Sequence, residues 1–108
     1  MIMFINCTPH PINLLDSENK LVMTLPKGDV VPRLTQTTKV EGEIHGVTIT
    51  STQFGTTQDL PDSIEGVLYI VSRLVLQANP SRNDLVVPNE LVRDAEGNIL
   101  GCKSLAKN

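Results

Sequence analysis

The apolar residues of this chain come in short runs, each cut off by proline, glycine or a cluster of turn-forming polar residues, and this punctuation constrains the fold more than any other feature. Met1-Ile2-Met3-Phe4-Ile5 and Val67-Leu68-Tyr69-Ile70-Val71 have the length of a strand, and Val47-Thr48-Ile49-Thr50 alternates apolar and polar with the period of a half-buried strand. The breaks are chemically specific. In Thr8-Pro9-His10-Pro11 each proline fixes its own φ and keeps the residue before it out of the helical region, so His10 is expected in an extended kink. Asp16-Ser17-Glu18-Asn19 and Ala95-Glu96-Gly97-Asn98 read as turns joining antiparallel strands, and Glu43-Ile44-His45-Gly46 reads as a bend.

A single short helix is expected over residues 73–78, with Ser72 as its N-cap and Asn79-Pro80 as its stop. A strand passing through serine into a helix would place free backbone N–H groups and Arg73 at one point, an arrangement suited to anions. Residues 55–66 lack a period and contain Pro61, as a long functional or mobile loop would. The expected fold is therefore mainly β (α+β), with about seven short strands in hairpins forming a small sheet or a barrel-like sandwich.

At 108 residues and 40% hydrophobic content the chain is expected to form one domain, 1–108, with its own core. That core must be aliphatic, because Phe4, Phe54 and Tyr69 are the only aromatic residues. A domain of this size buries only about two-thirds of its unfolded surface, which makes a homo-oligomer the expected state.

The net charge of -3 excludes a general nucleic-acid binder, which needs a basic stripe to neutralise phosphates. A small anionic ligand needs only a few well-placed arginines. No run is long enough for a membrane span, and no secretory leader pattern opens the sequence. A cytoplasmic protein with Cys7 and Cys102 reduced is expected.

Catalytic constellations fail one after another. Cys7 and His10 are close in sequence, but catalysis needs them in contact with a third group orienting the histidine, and Pro9 between them works against that contact. A metal site would need two ligand couples; Cys7 and His10 make one, whereas His45 and Cys102 stand alone. No metal and no cofactor are expected. Asp84 and Asp94 sit beside arginines, where a carboxylate more often fixes the guanidinium than works as half of a catalytic pair.

A binding site makes use of the same residues. Arg73, Arg82 and Arg93 lie at element ends and can grip phosphate, while Asp84 and Asp94 can orient them or accept ribose hydroxyls. Asn6, Thr8, His10 and Ser72 add neutral donors and acceptors, and Tyr69 or Phe54 can stack on a base. The candidate ligand-binding set is thus Asn6, Thr8, His10, Tyr69, Ser72, Arg73, Arg82, Asp84, Arg93 and Asp94, with no catalytic residue.

The stretches Asn6-Cys7-Thr8-Pro9-His10-Pro11-Ile12-Asn13-Leu14, Tyr69-Ile70-Val71-Ser72-Arg73-Leu74-Val75, Arg82-Asn83-Asp84-Leu85-Val86-Val87-Pro88 and Val92-Arg93-Asp94 through Gly101-Cys102 carry a resemblance. Together they resemble a family of small, largely uncharacterised proteins of phages and bacterial genomes. The chain departs from that family's Asn-Leu-Thr-Pro-His pattern at Cys7, which argues against an essential thiol. The resemblance implies a phage protein acting in the host cytosol. One such role is an anti-defence sponge that sequesters a nucleotide-derived immune signal, a cyclic oligonucleotide or an ADP-ribose derivative. Others are an inhibitor that contacts a host protein directly, a virion or assembly component, or a signal-degrading hydrolase.

Overall fold

The computed structural model describes residues 3–108; residues 1 and 2, the start of the first expected strand, lie outside the described residues. The architecture is mainly β with one short helix, as the punctuation predicts. Eight strands are described: β1 (Met3–Asn6), β2 (Ile12–Leu15), β3 (Leu21–Leu25), β4 (Gln36–Ile44), β5 (Val47–Phe54), β6 (Val67–Ile70), β7 (Leu85–Arg93) and β8 (Ile99–Ala106). The helix α1 (Arg73–Ala78) lies between β6 and β7. Six strands form one sheet in the order β1-β6-β7-β8-β2-β3, and β4 and β5 form a separate two-stranded ribbon.

Both expected hairpins are present, and the expected bend at 43–46 closes a third; each is set by local chemistry. In the turns between β2 and β3 and between β7 and β8, an aspartate accepts two backbone N–H groups. Asp16 Oδ1 takes Glu18 N at 2.8 Å and Lys20 N at 3.0 Å, and Asp94 Oδ1 takes Glu96 N and Asn98 N, both at 2.9 Å. The β4–β5 ribbon turns through His45 (φ 52) and Gly46 (φ 81), the pair of positive φ values a tight two-residue hairpin requires.

Between the hairpins the sheet is parallel, which the hairpin reading did not anticipate. β1 pairs parallel with β6, β6 with β7, and β2 with β8. The uninterrupted apolar run at Val67–Val71 now has its reason: β6 lies between two parallel neighbours, and Tyr69, Ile70 and Val71 are all buried. Tyr69, Val71, Leu85 and Val87 pack with Cys7 under the helix residues Val75 and Leu76 to make the core. Ile70 and Val86, register partners in β6 and β7, are as deeply buried.

The sheet curls until its two edges nearly meet. Gly28, just past β3, donates its N–H to Thr8 O at 2.8 Å, and the buried Asn6 of β1 donates Nδ2 to Pro26 O at 2.9 Å. Gly28 has to be glycine, because a Cβ there would overlap the backbone carbonyl of Asn6. The result is a nearly closed, barrel-like sheet.

Leu85–Arg93 forms one strand that runs through Pro88. Val71 N donates to Val86 O at 2.9 Å, so every second residue of β7 points its backbone toward β6. Pro88 falls on that same side but past the end of β6, where no strand needs its missing N–H.

Candidate functional site

The end of β6 and the Thr8–Pro11 kink enclose a cleft of about 440 Å³. Thr8, His10, Ser72 and Arg73 supply its polar lining, and Pro9, Ile12, Val71, Val87 and Pro88 its apolar walls. Four of the ten sequence-predicted residues therefore meet in one place. The meeting follows from topology: parallel pairing of β1 with β6 brings the C-terminal ends of both strands to the same end of the sheet, where β1 continues into the kink and β6 into α1.

Asn6 holds this edge in shape. Its side chain is 8% exposed and uses its full hydrogen-bonding capacity inside the chain. Nδ2 donates to His10 O and Pro26 O, both at 2.9 Å, while Oδ1 accepts Thr8 N at 2.9 Å and lies 2.7 Å from Thr8 Oγ1. Asn6 is thus a positioning residue for the kink, with no donor left for a ligand. Thr8 Oγ1 also lies 3.0 Å from His10 O, so its proton serves the kink and its lone pairs keep accepting capacity. His10 is exposed.

Ser72 is the N-cap, as expected: its Oγ accepts Val75 N at 3.3 Å. The helix it starts has six residues. A helix of one and a half turns has little macrodipole, so the anion argument passes from the helix to the Arg73 guanidinium. Arg73 is exposed and has no hydrogen bond or ion pair among the described residues.

The other candidates lie elsewhere, engaged in holding the fold. Arg82 Nε donates to Asp84 Oδ1 at 2.7 Å, and its terminal nitrogen donates to Asp84 Oδ2 at 2.8 Å and to Pro61 O at 3.0 Å. The pair is bidentate, between a half-buried Arg82 and a buried Asp84. The Arg82 hydrogen bond is the main cause holding the Asp84 carboxyl below the usual carboxylate range, and its partner guanidinium is raised in turn. Tyr69, expected to stack on a base, is 2% exposed and gives its hydroxyl to Asp62 O at 3.0 Å.

Arg82 and Tyr69 together pin the 55–66 segment, and Asn79 adds a hydrogen bond to Thr57 Oγ1 at 2.9 Å. The loop expected to be functional or mobile is an anchored cover for the core. Arg93 donates to Gly97 O at 3.0 Å, and Asp94 builds the turn beside it. Hydrogen bonds to the Asn98 backbone, first among several, depress the Asp94 carboxyl. The three arginines therefore do not converge: Arg73 is in the cleft, Arg82 lies in an internal ion pair and Arg93 stands at the far hairpin.

The apolar walls were missed in the sequence. Pro9, Pro88 and Val87 register as punctuation and core, and only the paired strand ends show that they face each other. Cys7 and Cys102 are free and buried. Strands β6 and β7 lie between β1 and β8, so the terminal strands do not pair. Burial pushes both thiols up, which keeps them protonated and poor nucleophiles. Among the described residues, no three His, Cys, Asp or Glu side chains gather as metal ligands. No described helix is long and apolar enough to cross a membrane. No protein-family model, curated protein or solved structure matches the chain.

Proposed function

We propose that this chain is a binding protein without catalysis, which holds a small anionic, nucleotide-like ligand in the cleft between the Thr8–Pro11 kink and the start of α1. One observation carries the reading: Arg73, which has no hydrogen bond or ion pair among the described residues, shares an apolar-walled cleft with His10. An unpaired guanidinium is suited to bidentate contact with a phosphate. Thr8 Oγ1 and Ser72 Oγ accept hydrogen bonds, as ribose or base N–H and O–H groups require, and Pro9, Ile12 and Pro88 offer accessible apolar surface. With one free arginine in the cleft, a single phosphate makes the strong contact.

Binding without turnover is favoured by the lining itself. Neither cysteine lines this cleft, and the Ser72 hydroxyl is engaged by Val75 N–H rather than by a base. In a phage, such a protein acts in the host cytosol as a sponge for a nucleotide-derived immune signal, a cyclic oligonucleotide or an ADP-ribose derivative. Resemblance to phage proteins supports that role, and a polar-rimmed cleft whose one charged lining residue is Arg73 is compatible with it.

Calorimetric titration with cyclic dinucleotides, cyclic trinucleotides and ADP-ribose isomers tests the proposal. One of these is expected to bind and to be recovered intact after heat release. Arg73→Ala should weaken it about 10- to 100-fold, the worth of a charge-assisted hydrogen bond, and Arg93→Ala should leave it unchanged. Absence of heat or thermal shift across the panel would sink the reading, and recovery of a cleaved ligand would convert it to a hydrolase.

A further inference from the structure

The β4–β5 ribbon stands apart from the nearly closed sheet. Its two strands pair with each other and with no other strand. Every residue in them is exposed except Ser51, which is half-buried. An isolated two-stranded ribbon is marginally stable in water, because it has no third strand or helix against which to bury a face.

This ribbon also carries an apolar face at its tip. The register sets Ile44 opposite Val47 and Gly42 opposite Ile49, which places Ile44, Val47 and Ile49 on one side. They are 61%, 62% and 42% exposed. On the other side Thr48 and Thr50 lie opposite Glu43 and Val40, a largely polar face. A bulge at Glu41, whose carboxylate accepts the Ser51 hydroxyl at 2.6 Å, separates the apolar tip from the Thr-rich base.

The whole chain carries the mark of a missing neighbour. Its accessible surface is 7548 Å², whereas a compact monomer of 11.8 kDa exposes about 5,900 Å². The surplus of about 1,600 Å² is twice the roughly 800 Å² per partner that a stable interface needs. The radius of gyration tells the same story, at 16.8 Å against about 13 Å for a compact domain of this length. Among the described residues, fifteen large apolar side chains are exposed and eleven hydrophobic ones are buried.

We infer that the ribbon is an assembly arm, and that the Ile44–Val47–Ile49 face is buried against a second copy of this chain. A ribbon that cannot hold itself and an apolar surplus of this size need cover whenever the protein is folded. A copy of the same chain is the partner present at every stage of synthesis and at matching concentration. Exchange of arms about a two-fold axis covers both tips with one self-complementary interface. This inference is independent of the cleft, which lies on the six-stranded sheet.

Sedimentation equilibrium across the micromolar range is the test, with circular dichroism as the check on folding. The wild-type chain should run at a multiple of 11.8 kDa. The double variant Ile44→Lys, Ile49→Lys should fall to the monomer mass with an unchanged spectrum, and Thr48→Lys on the opposite face should stay assembled. Should the double variant unfold, hydrogen exchange on the wild type decides: amides of β4 and β5 should be protected in the assembly and lose protection on dilution to monomer. A monomeric wild type overturns the inference, as does an assembly that the folded double variant leaves intact. A monomer that captures a different protein through this face equally overturns it.

Discussion

At the scale of single residues, the polar side chains divide into those that hold the fold and those left free. Asp84 and Arg82 belong to the first group. The Asp84 carboxylate is buried against a bidentate partner, so Asp84→Asn should destabilise the protein by about 1–3 kcal/mol at neutral pH, read by urea titration. The sign with pH follows from the lowered carboxyl. Its contribution is complete above the unfolded value of about 3.9 and is lost as pH falls through the lower folded value. Wild-type stability should therefore drop through this acid range more steeply than that of the variant.

The thiols work in the opposite sense. With both raised by burial, their contribution is complete below the unfolded thiol value of about 8.5 and is lost as pH climbs from there through the folded values. A thiol reagent at neutral pH should label neither Cys7 nor Cys102 in the native chain and both in denaturant. Rapid native labelling of either would contradict their burial.

At the scale of elements, the hairpins are fastened by turn chemistry and differ in how well that chemistry suits the backbone. The two aspartate turns use side-chain acceptors, whereas the ribbon's turn asks His45 to hold φ at 52°. Asparagine tolerates that region with less strain than histidine. His45→Asn should stabilise the ribbon by roughly 0.5 kcal/mol, visible as slower amide exchange in β4 and β5 with no change in β6 or β7. The same view explains why a six-residue helix suffices between β6 and β7. Ser72 caps it at one end, Asn79 closes it by donating Nδ2 to Val75 O at 2.8 Å, and Val75 and Leu76 bury its inner face. Packing and two caps hold a segment that is far too short to be a stable helix alone.

At the scale of the whole molecule, the barrel-like sheet depends on one close approach. Gly28 lies against the carbonyl of Asn6, so Gly28→Ala must part β1 from the chain that follows β3. The expected loss is about 1–3 kcal/mol, measured by thermal or urea unfolding. Because Asn6 also holds the Thr8–Pro11 kink, the same substitution should loosen the cleft and weaken any ligand there. A variant as stable as wild type would show that the sheet edges do not need each other. The molecule thus couples closure of its sheet to the shape of its candidate site, while the ribbon stands outside that coupling.

How much of this was legible in the sequence follows from the range of the interactions. Turns, caps and proline breaks act within a few residues, so two hairpins, the bend at 43–46, the Ser72 cap and the end of the helix at Asn79 could be read directly from residue order. The buried strand at Val67–Val71 was equally plain, because a continuous apolar run has nowhere else to go. Parallel pairing was not legible: β1 with β6 and β2 with β8 join segments far apart in the chain, through contacts such as Asn13 Nδ2 to Leu100 O at 3.0 Å. The β1–β6 pairing decides that Arg73 and His10 share a cleft, whereas the contacts of Arg82 with Asp84 and of Arg93 with Gly97 are local. Residue types and local contacts named the chemistry available; long-range strand pairing decided which of those groups share one cleft, because it alone joins segments far apart in the chain.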